Sequence, residues 1–391
     1  MKTLLIVCGG AADEPQEELD GETPLAAARL PRWNDLARQS LVGLVQLVPS
    51  EEDTGSDRAT AALLGYDPVG EYTGRGAFDF RGIGGKLGER EVALRVDLLS
   101  FDGERLQGPE PIPDSAATAP LFRLLAERLG TRRFHLYPFR EHRGLAYWGE
   151  RLKDVKTLPP HRVIGRPLEE VWPTGEGEEY LRRLSENSIE LLAEHDFNRA
   201  RLDKGQAPLN ILWPWGIGRA PKWENFVVRH RVAAALVSAT PAVRGGGYFA
   251  GLAVQRMDRL PAERSRRFRQ KAALALRTLA RSEWLLVHVH APDEAGHAGK
   301  AEEKVAALED FDAYLLNSLW EGLRGEEYQM LVLADYACPV TTRQHRSDPV
   351  PFCLYRPQRF VRGPGRFSEL DAADTGVFLE RARELQRLLR G

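Results

Sequence analysis

Four short, largely apolar runs punctuate the chain: Leu4–Val7, Val42–Val48, Trp284–Val289 and Met330–Ala334. They are rich in Leu and Val and stop close to Gly, Asp or His, as strands do when both faces of a sheet are covered. Between them, Arg264–Arg281 and Lys304–Leu323 repeat apolar residues at helical spacing. Strand alternating with helix predicts a layered α/β core around a mostly parallel sheet. Such sheets bind ligands at the carboxyl ends of their strands, so the polar residues after Val7, Val48, Val289 and Ala334 are expected to face one common site. The middle of the chain has another texture. Short alternating segments (Val92–Leu98, Phe134–Pro138) mix with helical ones (Ala117–Leu129, Glu178–Glu194). This predicts a smaller α+β domain over 80–205, inserted into a core made of 1–79 and 206–391, with the chain returning near Leu209–Gly218.

Composition narrows the classes. At 391 residues, 43% hydrophobic and 28% charged, the chain suits a globular protein of two domains, or of one domain with a large insertion. A net charge of -2 argues against nucleic acid and acidic membranes as partners. No apolar run approaches the roughly 20 residues that span a bilayer. The opening MKTLLIVCGG is too short for a signal-peptide core and predicts a first buried strand. Three scattered cysteines, Cys8, Cys338 and Cys353, do not make a disulfide framework and suit a reducing cytoplasm. The basic run RSRRFRQK at 264–271 reads as a solvated helix face.

Three segments carry candidate chemistry. In HVHAPDEAGH, Asp293 and His297 are four apart and share one face of a helix. A carboxylate and an imidazole suit Zn²⁺ or Mn²⁺, although a capping aspartate and a surface histidine are an equal alternative on this segment alone. In ADYACPVTTRQHRSDPVP, Asp335 ends a strand and His345 follows in a loop, which places four potential ligands at one sheet edge. In DTGSDRATAALLGYDP, Ser56 stands where a loop enters a helix. The start of a helix favours an anion, and a serine there can act as a nucleophile beside a metal; an ordinary helix cap is the better-supported alternative from this segment by itself.

Taken together, ADEP, TPLAAA, TGSD, LGYDP, YTGRG, LPPH, WPWGIG, PDEAGH and DPVP occur in this order along nearly the whole chain. In these motifs the chain resembles the archaeal-type cofactor-independent phosphoglycerate mutases of the alkaline phosphatase superfamily. The resemblance implies an alkaline-phosphatase-like three-layer core and a glycolytic phosphoryl transfer between the 2- and 3-positions of phosphoglycerate, through a phosphoserine at Ser56. It implies a first divalent ion (Mn or Zn) on Asp293, His297 and His345, and a second ion that includes Ser56 and Asp335. It implies phosphoglycerate contacts from Arg95, Arg143, Asn198, Arg199, Lys204 and Arg244. For the arginines a surface salt bridge is the alternative and for Asn198 a helix cap; His288 reads as a packed strand residue rather than a ligand.

The chain departs from that pattern at three places. Gly9 stands where the family has a ligand aspartate, Tyr336 where it has a ligand histidine, and Asp97 where it has an asparagine. Glycine has no side chain to coordinate, and tyrosine does so only once deprotonated, from a pKa near 10. One tight metal site is therefore expected, with a second left short of ligands. The activity implied is a mutase, weakened by these losses. The alternative is a non-catalytic or repurposed single-metal relative: a phosphate-ester binding protein or a phosphatase. Restoring both ligands, with Gly9→Asp and Tyr336→His, is expected to raise mutase activity.

Overall fold

The computed structural model describes residues 1–149, 152, 154–257, 260–359 and 361–390. The chain folds into two compact units, Met1–Tyr72 with Lys222–Gly391, and Thr73–Pro221. The first unit opens with β1 (Lys2–Cys8) and β2 (Ser40–Val45). The second contains β3 (Glu91–Phe101), β4 (Leu106–Gln107), β5 (Phe134–Arg140), β6 (Arg143–Gly149) and β7 (Ile211–Gly218). The first then resumes with β8 (Ala234–Ser238), β9 (Ala253–Arg256), β10 (Trp284–Val289), β11 (Tyr328–Leu333), β12 (Val350–Tyr355) and β13 (Phe378–Leu379).

The sheet of the first unit has the order β13-β2-β12-β11-β1-β10-β8-β9. β12 is antiparallel to both of its neighbours, β11 and β2, while the other pairs are parallel. Two reversals cancel, so β2 runs the same way as β1, β10 and β11. The carboxyl ends of these four strands therefore share one edge. Every residue of β10 and β11 is buried, which explains their largely apolar sequences, broken only by His288 and Gln329.

The sheet of the second unit is antiparallel and centred on β3, which pairs with β4, β6 and β7; β5 pairs with β6. On β3, Val92, Leu94, Val96 and Leu98 face a core shared with Leu121, Phe122 and Leu125 of the helix Ser115–Leu129. The alternate positions of the strand, among them Arg95 and Asp97, face the other way.

Three expectations need correction. The segment Leu209–Gly218 does not return to the first unit. Its strand β7 pairs with β3, and the helix Arg75–Gly82 also packs on β3 and β7. The junctions thus fall after Tyr72 and Pro221 rather than after 79 and 205. This packing also explains the glycines of YTGRG: Gly74 has φ of 128°, and a Cβ on Gly76 would stand 2.4 Å from Leu94 Cα. Second, the predicted helix Lys304–Leu323 is Ala301–Asp310 and Asn317–Gly322 joined by a π-helical turn at Phe311–Leu316. Third, the basic run is solvated only in part. Lys271 lies on the same stripe of the helix Arg264–Leu279 as Phe268, Ala272, Ala275 and Leu279, and is buried with them.

Candidate metal centre

The helix Ala291–Ala298 begins directly beyond the carboxyl end of β10, with Pro292 in its first turn. Asp293 and His297 share a face of it, with Oδ2 3.5 Å from Nε2. The long loop after β11 brings His345 to the same point. Its Nε2 lies 2.9 Å from Asp293 Oδ1 and 2.9 Å from His297 Nε2. Two glycines let this loop close on the helix. A Cβ on Gly296 would meet Cys338 O at 2.5 Å, and one on Gly299 would meet Arg343 Nε at 2.5 Å. The expected convergence of Asp293, His297 and His345 is thus present in the structure, from two neighbouring strand ends.

The hydrogen bonds behind the two rings determine their tautomers. His297 Nδ1 lies 2.8 Å from the Arg343 carbonyl and His345 Nδ1 lies 3.2 Å from the Thr54 carbonyl. A carbonyl only accepts, so each Nδ1 carries the proton and each neutral ring turns a lone pair on Nε2 toward its partner. Two lone pairs 2.9 Å apart, beside a buried carboxylate, repel unless a cation lies among them. Among the described residues only imidazole nitrogens face the Asp293 oxygens, the third being His290 Nε2 at 3.0 Å. Burial alone would raise the Asp293 pKa, but the charge and hydrogen bond of His290 oppose it and the carboxyl is held well below the usual range. Burial pushes His297 down, which disfavours a proton as the cation on that ring. A carboxylate and two Nδ1-anchored imidazoles form a donor set that fits a divalent metal ion.

Ser56 opens the helix Ser56–Leu63. Gly55 occupies the N-cap, and the serine makes no capping bond. Its hydroxyl is buried, with no hydrogen-bond partner among the described residues. The cap alternative is therefore not what the structure shows. The bond from His345 Nδ1 to Thr54 ties the turn that carries Ser56 to the three-residue cluster.

Asp335 stands apart from that cluster. One oxygen accepts the Gly10 N–H at 2.9 Å, and the other faces His288 Nε2 at 3.3 Å. The second divalent site implied by the family resemblance does not fit the residues present. A Cβ on Gly9 would meet the Val289 carbonyl at 2.6 Å and His288 Nε2 at 3.1 Å, so the imidazole occupies the space of any side chain there. Tyr336 packs its ring on His345, centroids 4.1 Å apart. Asp13 offers no replacement, being buried in an ion pair with Lys304 Nζ at 2.6 Å. Cys8 is fully buried in β1, with its thiol pushed up by burial.

The residues expected to bind phosphoglycerate divide into several groups. In the second unit, Arg95 is buried, 2.8 Å from Asp79 and 3.9 Å from Asp97, and lies over the rings of Phe139 and Trp215. Arg143 stands opposite Asp97 across the β3–β6 pair. Asn198 is corrected: its amide is wholly committed to the backbone, donating to Leu192 and Leu209 carbonyls and accepting the Leu209 N–H, which leaves nothing for a ligand. Arg199 pairs with Glu194 at 2.6 Å on the surface, and Lys204 is exposed. Arg244, in the first unit, is buried on the helix Pro241–Phe249. Sequence reasoning missed two buried groups beside the site. Lys271 donates to the His288 carbonyl at 2.6 Å. Cys338 joins Asp293, His297 and His345 in a group whose ligand atoms all lie within 4.8 Å of one another. The sequence places this thiol three residues beyond the strand-end aspartate, a position that by itself does not mark it as a ligand.

Residues 37–198 match the family model for 2,3-bisphosphoglycerate-independent phosphoglycerate mutase. The 2,3-bisphosphoglycerate-independent phosphoglycerate mutase 2 of Methanothermobacter thermautotrophicus is 36% identical over 90% of this chain and 88% of its own. Among solved structures, a Pyrococcus horikoshii protein superimposes with a TM-score of 0.77 at 22% identity, covering 99% of this chain and 96% of its own. The cofactor-independent phosphoglycerate mutase of Thermoplasma acidophilum gives 0.61 at 24%, covering 100% and 99%. Identity of this extent over most of both chains, on a shared α/β fold, establishes that the chain belongs to the 2,3-bisphosphoglycerate-independent phosphoglycerate mutase family.

Proposed function

We propose that this protein interconverts 3- and 2-phosphoglycerate through a phosphoserine at Ser56, with a single tightly held divalent ion, Mn²⁺ or Zn²⁺, on Asp293, His297 and His345. The observation that carries this reading is the facing of two Nδ1-anchored imidazoles across a buried carboxylate, tied through Thr54 to a buried serine hydroxyl. When bound, the ion supplies positive charge against phosphate oxygens and favours ionisation of a nearby hydroxyl.

The chain's own residues do the rest. Ser56 Oγ loses its proton and forms a bond to phosphorus. The ester bond to the glycerate oxygen breaks, and that oxygen takes a proton. In the second half the neighbouring hydroxyl attacks, and the serine is regenerated. In the second unit Arg95, held by Asp79, and Arg143 are cationic donors suited to a small phosphorylated acid. A protein with three buried free thiols suits the cytoplasm as its compartment.

The test is an assay of the full-length protein on 3-phosphoglycerate with Mn²⁺, Zn²⁺ or Co²⁺ supplied. Formation of 2-phosphoglycerate is expected, with loss of the reaction to the solution background in Ser56→Ala. Release of inorganic phosphate in place of the isomer, or unchanged turnover in Ser56→Ala, would contradict the proposal.

A further inference from the structure

We infer that Cys338 is a ligand of the cation, so that the site is an Asp-His-His-Cys set selecting a thiophilic ion such as Zn²⁺ over Mn²⁺ or Mg²⁺. This rests on the single-ion reading above and adds a fourth donor to it. Cys338 Sγ lies within 4.8 Å of the donor atoms of Asp293, His297 and His345. The side chain is fully buried, on the side of the helix where Gly296 makes room for it; a Cβ on Gly296 would stand 2.7 Å from the sulfur.

Independent support for a ligand at this point comes from Asp293, buried and faced only by imidazole nitrogens among the described residues. Two fixed anchors hold the cysteine backbone in place. Its N–H donates to the Ala12 carbonyl, and its own carbonyl accepts from buried Lys304 Nζ at 2.9 Å. Among the described residues the thiol's hydrogen-bond contact is a long one, to the Asp293 carbonyl at 3.8 Å. Burial, then Asp293, pushes that thiol up, so coordination must release its proton to solvent as the metal–sulfur bond forms. A thiolate is a soft donor and suits Zn²⁺ or Co²⁺ far better than Mn²⁺ or Mg²⁺.

The experiment titrates Co²⁺ into metal-stripped, full-length protein and records two signals. Visible ligand-field bands report coordination whether or not sulfur takes part. A near-ultraviolet sulfur-to-cobalt charge-transfer band reports the thiolate. Both are expected in the wild type and in Cys8→Ser. Cys338→Ser is expected to keep the visible bands and lose the charge-transfer band, while Zn²⁺ affinity falls about tenfold or more and Mn²⁺ affinity changes little. X-ray absorption of the Zn²⁺-loaded wild type needs no variant and is expected to show one sulfur at about 2.3 Å. Visible bands without charge transfer, or zinc with nitrogen and oxygen neighbours alone, overturn the cysteine assignment and leave the single-ion site standing. Failure to take up any ion overturns both.

Discussion

At the scale of single residues, the site depends on where two protons sit. The carbonyls of Arg343 and Thr54 hold them on Nδ1 of His297 and His345, and the exposed lone pairs then call for a cation. Asp293 completes the charge balance. Replacing it with Asn keeps the shape and removes the anion. Asp293→Asn is expected to lose the tight ion, weakening binding beyond the roughly 10–100-fold typical of an outer-shell change. Calorimetric titration with Zn²⁺ measures this; near-native affinity would count against the ligand set. The candidate ligands were legible in the sequence because helical spacing pairs Asp293 with His297 and strand ends meet at one edge. Cys338 was not, since nothing in its neighbours tells a buried thiol from a ligand. Asn198 was misread for a similar reason: two of its three backbone bonds are to Leu209, eleven residues away and in a different segment.

At the scale of elements, two buried charged groups organise the first unit. Lys304 reaches from the helix Ala301–Asp310 to Asp13 and to the carbonyls of Ala12 and Cys338, pinning the segment after β1 to the loop after β11. Lys304→Met leaves the Asp13 carboxylate buried and unpaired, at an expected cost of about 3–5 kcal/mol in denaturant unfolding. In the π-helical turn, Asp312 accepts backbone N–H groups of Arg32 and Trp33 at the start of the helix Pro31–Ala37. Burial raises its pKa from 3.8 to about 6 against the pull of those donors. The folded state then holds a proton that the unfolded state lacks between about pH 4 and 6, so stability falls as pH rises through that window. Asp312→Asn is expected to remove this contribution, seen as a flatter profile of unfolding midpoint against pH; an unchanged slope would contradict it. Neither pair was legible in sequence, because Asp13 and Lys304 are 291 positions apart and a π turn leaves the helical period almost intact.

At the scale of the whole molecule, the apolar runs announced β1, β2, β10 and β11, and with them the edge that carries the chemistry. The reversed strand β12 could not be read, because a buried run carries no mark of its direction. The unit boundaries were displaced because β7 is apolar enough for either sheet, and only its pairing with β3 decides. The expected rise in mutase activity from Gly9→Asp with Tyr336→His must also be revised. A side chain at 9 meets the Val289 backbone and the His288 ring, so the junction of β1 and β10 would have to open first. The double variant is expected to bind no second ion and to unfold more readily than the wild type; a gain of a second tight ion would refute that steric account.

The central claim is one cation per chain, held by Asp293, His297 and His345. Metal content measured by mass spectrometry on dialysed wild type and His345→Ala, loaded with Zn²⁺ or Mn²⁺, tests it most directly. One tightly held ion in the wild type and none in the variant is the expected result. Two ions in the wild type, or one retained without His345, would contradict the account.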